Sequence, residues 1–289
     1  MLAAVRTERA EDSVGWVAVG PFRAASQPIV VETNRNEFAA QVEADLHDLR
    51  CADPTTDPVV IRAERQPQSW LTAPWTVSRV GGPDGPAVPD ETVRVQLIAE
   101  VDAIALSAGR PGWLPLRAAA VARDGWAVVL AGAHRTGKTS LASRLVRAGW
   151  QYLADAVTFV RLEPPFEVDP YWRPFTLDGW PAGTAAPASG AREVIPGSRL
   201  GQLAEPTALA AIVVARGPEE PGGLERVGPA ASIGPLAGHL PRMPDGRAAF
   251  HRLAAIAAAV PSWTLSFMDT GAVTAFDDVA AVATAAGAP

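Results

Sequence analysis

The sequence predicts an α/β protein in two parts, a smaller α/β domain over residues 1–110 and a larger one over 111–289. Three observations support this. The chain has 289 residues, enough for one large or two modest cores. Hydrophobic residues make up 48% and charged residues 19%, the balance of a globular chain rather than a disordered one. Short apolar runs of strand length alternate with segments of helical periodicity in both halves.

In the N-terminal part, Val14–Val19 and Pro28–Val31 read as strands. Asn36–Arg50 reads as a helix, with Phe38, Val42, Leu46 and Leu49 on one face and Asn34 or Asn36 as its cap. Val59–Ile61 and Trp75–Val77 follow as strands, 81–89 as a Gly- and Pro-rich loop, and Val95–Ala108 as a helix. No ligand motif occurs here. A substrate-recognition or oligomerisation module is the natural expectation, and a homo-oligomer is compatible with it.

Composition narrows the function classes. The longest apolar runs, Ala208–Ala215 and Leu253–Val260, are too short to cross a bilayer. The first ten residues lack the apolar stretch of a secretory signal, so the expected compartment is the cytoplasm. Cys51 is the one cysteine, which excludes an internal disulfide and any multi-cysteine metal site. A net charge of −6 argues against broad nucleic-acid binding. Of the 25 basic residues counted as Lys or Arg, only Lys138 is a lysine. In a chain that uses arginine everywhere else, that position needs something a guanidinium cannot supply.

Lys138 lies in Gly132-Ala133-His134-Arg135-Thr136-Gly137-Lys138-Thr139, which fits G-x-x-x-x-G-K-[ST] at every fixed position. Trp126–Ala131 before it reads as a buried parallel strand. Leu141, Leu145 and Val146 after it recur at helical spacing until Gly149. Strand, glycine loop and helix in this order form an anion site from backbone N–H groups and the positive end of a helix dipole. The pattern calls for ATP and Mg²⁺. Gly132 through Ser140 would bind the nucleotide, the compact Lys138 ammonium would reach between phosphates, and the Thr139 hydroxyl would ligate Mg²⁺. His134 and Arg135 can touch phosphate or point to solvent.

Such a loop needs a carboxylate beside it. Asp155 closes the short run Gln151–Leu153, 17 residues beyond Lys138, which allows one helix and a tight return to the site. A simple strand-end cap is the other reading of Asp155.

The run from Gly132 to Asp155 resembles the kinase domain of HPr kinase/phosphorylase and its smaller relatives, among them kinases of ribosomal-peptide (lasso peptide) gene clusters. Arg173–Leu177, Ala208–Arg216, Phe250–Val260 and Pro261–Leu265 resemble later segments of those relatives. The resemblance implies a PEP-carboxykinase-like P-loop domain that transfers the γ-phosphate of ATP to a serine hydroxyl of a peptide or protein. It implies Lys138 and Asp155 as catalytic residues, with Asp155 the general base, and Asp178 as a stand-in metal ligand. A turn residue before Gly179 is the other reading of Asp178. The chain departs from the family at Ala156, where a second acid is expected, and near Arg117, where a histidine is expected. Two alternatives therefore stand beside the kinase: a non-catalytic nucleotide-binding partner in a biosynthetic assembly, and a small-molecule kinase or ATPase.

His47, His134, His239 and His251 are scattered singly, without metal-ligand spacing, and read as surface or structural. Arg216 ends an apolar strand and either reaches a phosphate or is a surface charge. The segments 181–190 and 217–223 read as loops, either lids or plain connections.

Overall fold

In the computed structural model, residues 15–52, 56–66, 74–134, 136–178, 192–216, 223–243, 245–266 and 279–282 are described. The chain divides into two units, one of Met1–Ala108 with Arg173–Pro196 and one of Gly109–Trp172 with Gly197–Pro289.

In the first unit, β1 (Val17–Ala24) and β2 (Gln27–Thr33) pair antiparallel, and α1 (Asn36–Asp45) carries the chain across to β3 (Val59–Arg65), which lies parallel to β2. A parallel neighbour requires such a crossover. Then β4 (Trp75–Arg79) and the short β5 (Ala87–Val88) complete the order β1-β2-β3-β4-β5. The two residues of β5 fall inside the stretch read as loop. Next, α2 (Val93–Ala108) packs on β1 to β4. Its buried residues Val93, Leu97, Ile98, Val101, Ile104 and Ala105 recur at helical spacing and form one stripe. Asn34 does not cap α1. Its side-chain amide donates to the Arg65 carbonyl and accepts from the Arg65 N–H, each at 2.9 Å. Two bonds to a strand end outweigh the single bond a cap would give.

The second unit opens with β6 (Trp113–Leu116), β7 (Ala119–Arg123), β8 (Trp126–Gly132), α3 (Lys138–Arg147), β9 (Gln151–Ala154), β10 (Thr158–Arg161) and β11 (Glu167–Asp169). The chain then returns to the first unit for the hairpin of β12 (Phe175–Asp178) and β13 (Arg192–Ile195). It re-enters the second unit for β14 (Thr207–Arg216), β15 (Gly223–Val227), α4 (Pro229–Ala237), α5 (Gly246–Ala259) and β16 (Ser262–Ser266).

The large sheet is mixed. β8 runs parallel to β14, and β14 runs parallel to β16, as buried apolar strands do. On its other side, however, β8 pairs antiparallel with β7. Asp124 (φ 51°) and Gly125 (φ 81°) form the two-residue turn that joins them, with the positive φ values a tight hairpin demands. β9 pairs antiparallel with β7 in turn, so it points the same way as β8. The carboxyl ends of β8, β9, β14 and β16 and the start of β7 therefore share one end of the sheet. Ligands of α/β sheets bind at such an end.

One domain boundary needs correction. The sequence reading kept everything after residue 110 together, but Arg173–Pro196 belongs with the first unit. Arginine side chains tie this segment to α2. Arg173 Nε donates to both carboxylate oxygens of Asp102 on α2 at 3.0 Å, and Arg94 Nη2 on α2 donates to the Val194 carbonyl at 3.0 Å. Arg94 also pairs with buried Asp45 at 2.6 Å. No helix among the described residues is long and apolar enough to cross a membrane.

Arg173 is 7% and Asp102 15% exposed at the side chain, so removing the guanidinium takes a charge-paired donor from a largely buried carboxylate. Arg173→Ala is expected to destabilise the first unit by about 3 kcal/mol. Urea unfolding followed by tryptophan fluorescence reads this as a lower midpoint.

Candidate functional site

The loop 132–137 starts where β8 leaves the sheet. Gly132 has φ 150°, and a Cβ there would lie 2.6 Å from the Ala215 carbonyl oxygen and 2.9 Å from Thr136 Oγ1. Only glycine lets β8 approach β14 this closely while the loop folds over it. Gly137 is left-handed at φ 83° and passes directly into α3, whose first residue is Lys138. Gly137 at the N-cap has no side chain to bond the first helical N–H groups, which leaves them, among the described residues, available to an anion. The Thr136 hydroxyl donates to the Ala133 carbonyl at 2.9 Å and tightens the loop.

Lys138 folds back into the loop. Its Nζ donates to the carbonyls of Gly132 and Ala133, each at 2.7 Å. Burial pushes its pKa below the ordinary 10.5, and the nearby Asp155 carboxylate partly offsets that. Asp155 sits one residue past the end of β9 and is 2% exposed. Its Oδ1 accepts from the Thr139 hydroxyl at 3.0 Å. The structure thus brings together Gly132, Gly137, Lys138, Thr139 and Asp155, the loop residues and the carboxylate that the sequence singled out. Ala133, His134 and Ser140 are exposed at the loop and helix start, and Thr136 is half-buried. Arg135 lies outside the described residues.

Asp178 is the last residue of β12, in the first unit, and its side chain lies outside the described residues. The loop 181–190 and most of 217–223 also lie outside them. Arg216 ends β14 one residue past Ala215, which pairs with Gly132, so it stands at the site's end of the sheet. Among the described residues no group of three or more His, Cys, Asp or Glu side chains could hold a metal ion. A divalent cation here would rely on the Thr139 hydroxyl, the Asp155 carboxylate and the oxygens of a bound ligand.

Sequence reading missed one neighbour. His239, two residues past the end of α4, lies within electrostatic reach of Lys138. Burial first, then the Lys138 charge, holds its pKa below the ordinary 6.5. Its carbonyl accepts from the Arg117 N–H at 2.8 Å. A lone histidine after an irregular helix carries no sequence signal of this proximity.

The arrangement presents an ammonium, uncapped helix N–H groups and a hydroxyl–carboxylate pair at one sheet end. Chemically, such a set can receive and polarise the oxygens of a polyphosphate. No family model matches the chain, and no curated protein matches it. A solved structure of the Hpr(Ser) kinase/phosphatase from Coxiella burnetii is similar over 58% of this chain and 94% of its own, at 12% identity and a TM-score of 0.33. At those values the likeness assigns neither family nor activity.

Gly132→Ala is expected to destabilise the second unit by about 2 kcal/mol, because both the backbone conformation and the Ala215 carbonyl oppose a side chain. Thermal unfolding checks it. The lowered pKa of Lys138 has a definite sign as well. The unfolded chain keeps this proton to higher pH than the folded one, so stability rises with pH as Lys138 deprotonates below 10.5. Unfolding midpoints taken between neutral pH and 10.5 should show that gain in the parent chain and not in Lys138→Met.

Proposed function

We propose that this chain binds a magnesium nucleoside triphosphate, taken here as ATP, at the loop 132–139, and transfers its γ-phosphoryl group to a hydroxyl. The observation that carries the reading is the contact of Thr139 Oγ1 with Asp155 Oδ1 at 3.0 Å, beside the Lys138 ammonium. A P-loop hydroxyl and an acidic partner at this spacing are the parts that hold a metal-bound phosphate. The Thr139 hydroxyl and the Asp155 carboxylate would hold Mg²⁺, which neutralises charge on the phosphate oxygens. Lys138 would turn from the Gly132 and Ala133 carbonyls onto the phosphates, and the N–H groups at the start of α3 would receive the remaining oxygens.

In the transfer, the acceptor oxygen bonds to the γ-phosphorus while the bond to the bridging oxygen breaks. ADP departs with that electron pair, and Asp155 takes the acceptor's proton. The resemblance of Gly132–Asp155 to HPr-kinase relatives points to a serine hydroxyl of a peptide or protein as acceptor. A second reading rests on Ala156. A methyl where those relatives carry an acid fits a protein that holds nucleotide as a structural ligand without turnover.

Label transfer from γ-labelled ATP to candidate peptides and proteins tests the proposal. Lys138→Ala is expected to lose nucleotide binding and transfer together. Asp155→Asn should lower transfer by at least about 100-fold while affinity for the magnesium-free nucleotide stays within a few-fold. Tight binding without turnover, unchanged by Asp155→Asn, would favour the second reading. Transfer by Lys138→Ala at the parent's rate would sink the first.

A further inference from the structure

His239 has no part in the reading above, yet the fold delivers it to the loop. The turn after α4 closes with the His239 N–H on the Leu236 carbonyl at 2.9 Å. The His239 carbonyl then accepts from Arg117 N–H at 2.8 Å. Arg117 lies two residues before β7, whose first residue Ala119 pairs with Leu130, and Leu130 is two residues short of Gly132. Backbone bonds on both sides of His239 fix its main chain at the phosphate end of the sheet and leave the imidazole outside those bonds. The residue is half-buried and lies within electrostatic reach of the Lys138 ammonium.

Its protonation follows from its surroundings. Burial and the Lys138 charge both favour neutral imidazole, which has one N–H to donate and one bare nitrogen. Once an anion draws the ammonium off the loop carbonyls, the ammonium and the imidazole flank that anion. The lysine of this loop type spans the β- and γ-phosphates, so a donor close to it is near the outer end of the polyphosphate.

We infer that His239 donates a ring N–H to the terminal phosphoryl group of a bound nucleoside triphosphate and lets the site tell triphosphate from diphosphate. The inference rests on the nucleotide reading above and needs no turnover.

Calorimetric titration of the full chain with magnesium ADP and with a non-hydrolysable magnesium ATP analogue tests it. The parent should favour the triphosphate. His239→Ala should weaken triphosphate binding about tenfold and leave diphosphate binding within about twofold, the size of one hydrogen bond to a charged group. His239→Gln keeps an N–H donor and should recover much of the preference. Equal weakening of both nucleotides in His239→Ala would show a structural role and overturn the inference, as would no change in either. A parent that binds neither nucleotide would remove the nucleotide reading itself, and the inference with it. A parent that binds both, with a preference that His239→Ala leaves intact, would remove the inference alone.

Discussion

A hydroxyl at the start of α3 and a carboxylate past the end of β9 meet at 3.0 Å, and much of the second unit's architecture serves that meeting. Asp155 is 2% exposed. A carboxylate so far from water must find donors inside the protein, and Thr139 is one that the chain supplies. The contact requires α3 to begin directly above the sheet end, which Gly137 permits with its left-handed backbone. It also requires β9 to stop level with β8, which the shared pairing with β7 enforces. Ala119 pairs with Leu130 on one side, and Ala120 pairs with Ala154 on the other. Register in the sheet thus sets the distance between a loop residue and an acid 16 positions away.

The same economy explains the single lysine. Its ammonium sits between two loop carbonyls at 2.7 Å each, a point charge in a space one residue deep. A guanidinium is planar and spreads five donors in a fork, so it could not enter without opening the loop. The two carbonyl bonds also mean that the loop is internally satisfied. On the proposed nucleotide reading, a phosphate would have to compete for the ammonium, and burial, which lowers the lysine's pKa, would strengthen the charge contacts it made.

The sequence made legible what backbone chemistry fixes. The loop motif demands glycine where a Cβ would strike Ala215, and β8 and α3 follow from plain periodicity, whereas the segments of β14, α5 and β16 are picked out by the resemblance. Other features could not be read because their cause is non-local. The β12–β13 hairpin joins the first unit through Arg173 with Asp102, a pairing across 71 positions, and through Arg94 with Val194, across 100. No local pattern encodes either. α4 contains Gly234 and Pro235 and begins with Pro229, so no local pattern marks it as a helix, and it packs against β8, β14, β16 and α5. His239 was hidden for the same reason. Its position depends on that unexpected helix and on one bond to Arg117.

The turn after Asp155 carries a further constraint. Ala156 has φ 60°, and the Val157 N–H returns to the Asp155 carbonyl at 2.7 Å. This sharp reversal sends the chain into β10 and leaves the Asp155 side chain facing the loop. Left-handed backbone costs an alanine about 1 kcal/mol, whereas Gly, Asn or Asp accepts it more readily. The backbone at 156 therefore keeps a shape that suits a small acid, while the side chain is a methyl. The electrostatic consequence favours anion binding. A second carboxylate there would repel any anion approaching the loop. With alanine in place, Lys138 and the helix start act against a single negative charge on this turn. The strain at 156 is the structural cost of that balance, and it falls at the residue next to the acid on which the loop rests.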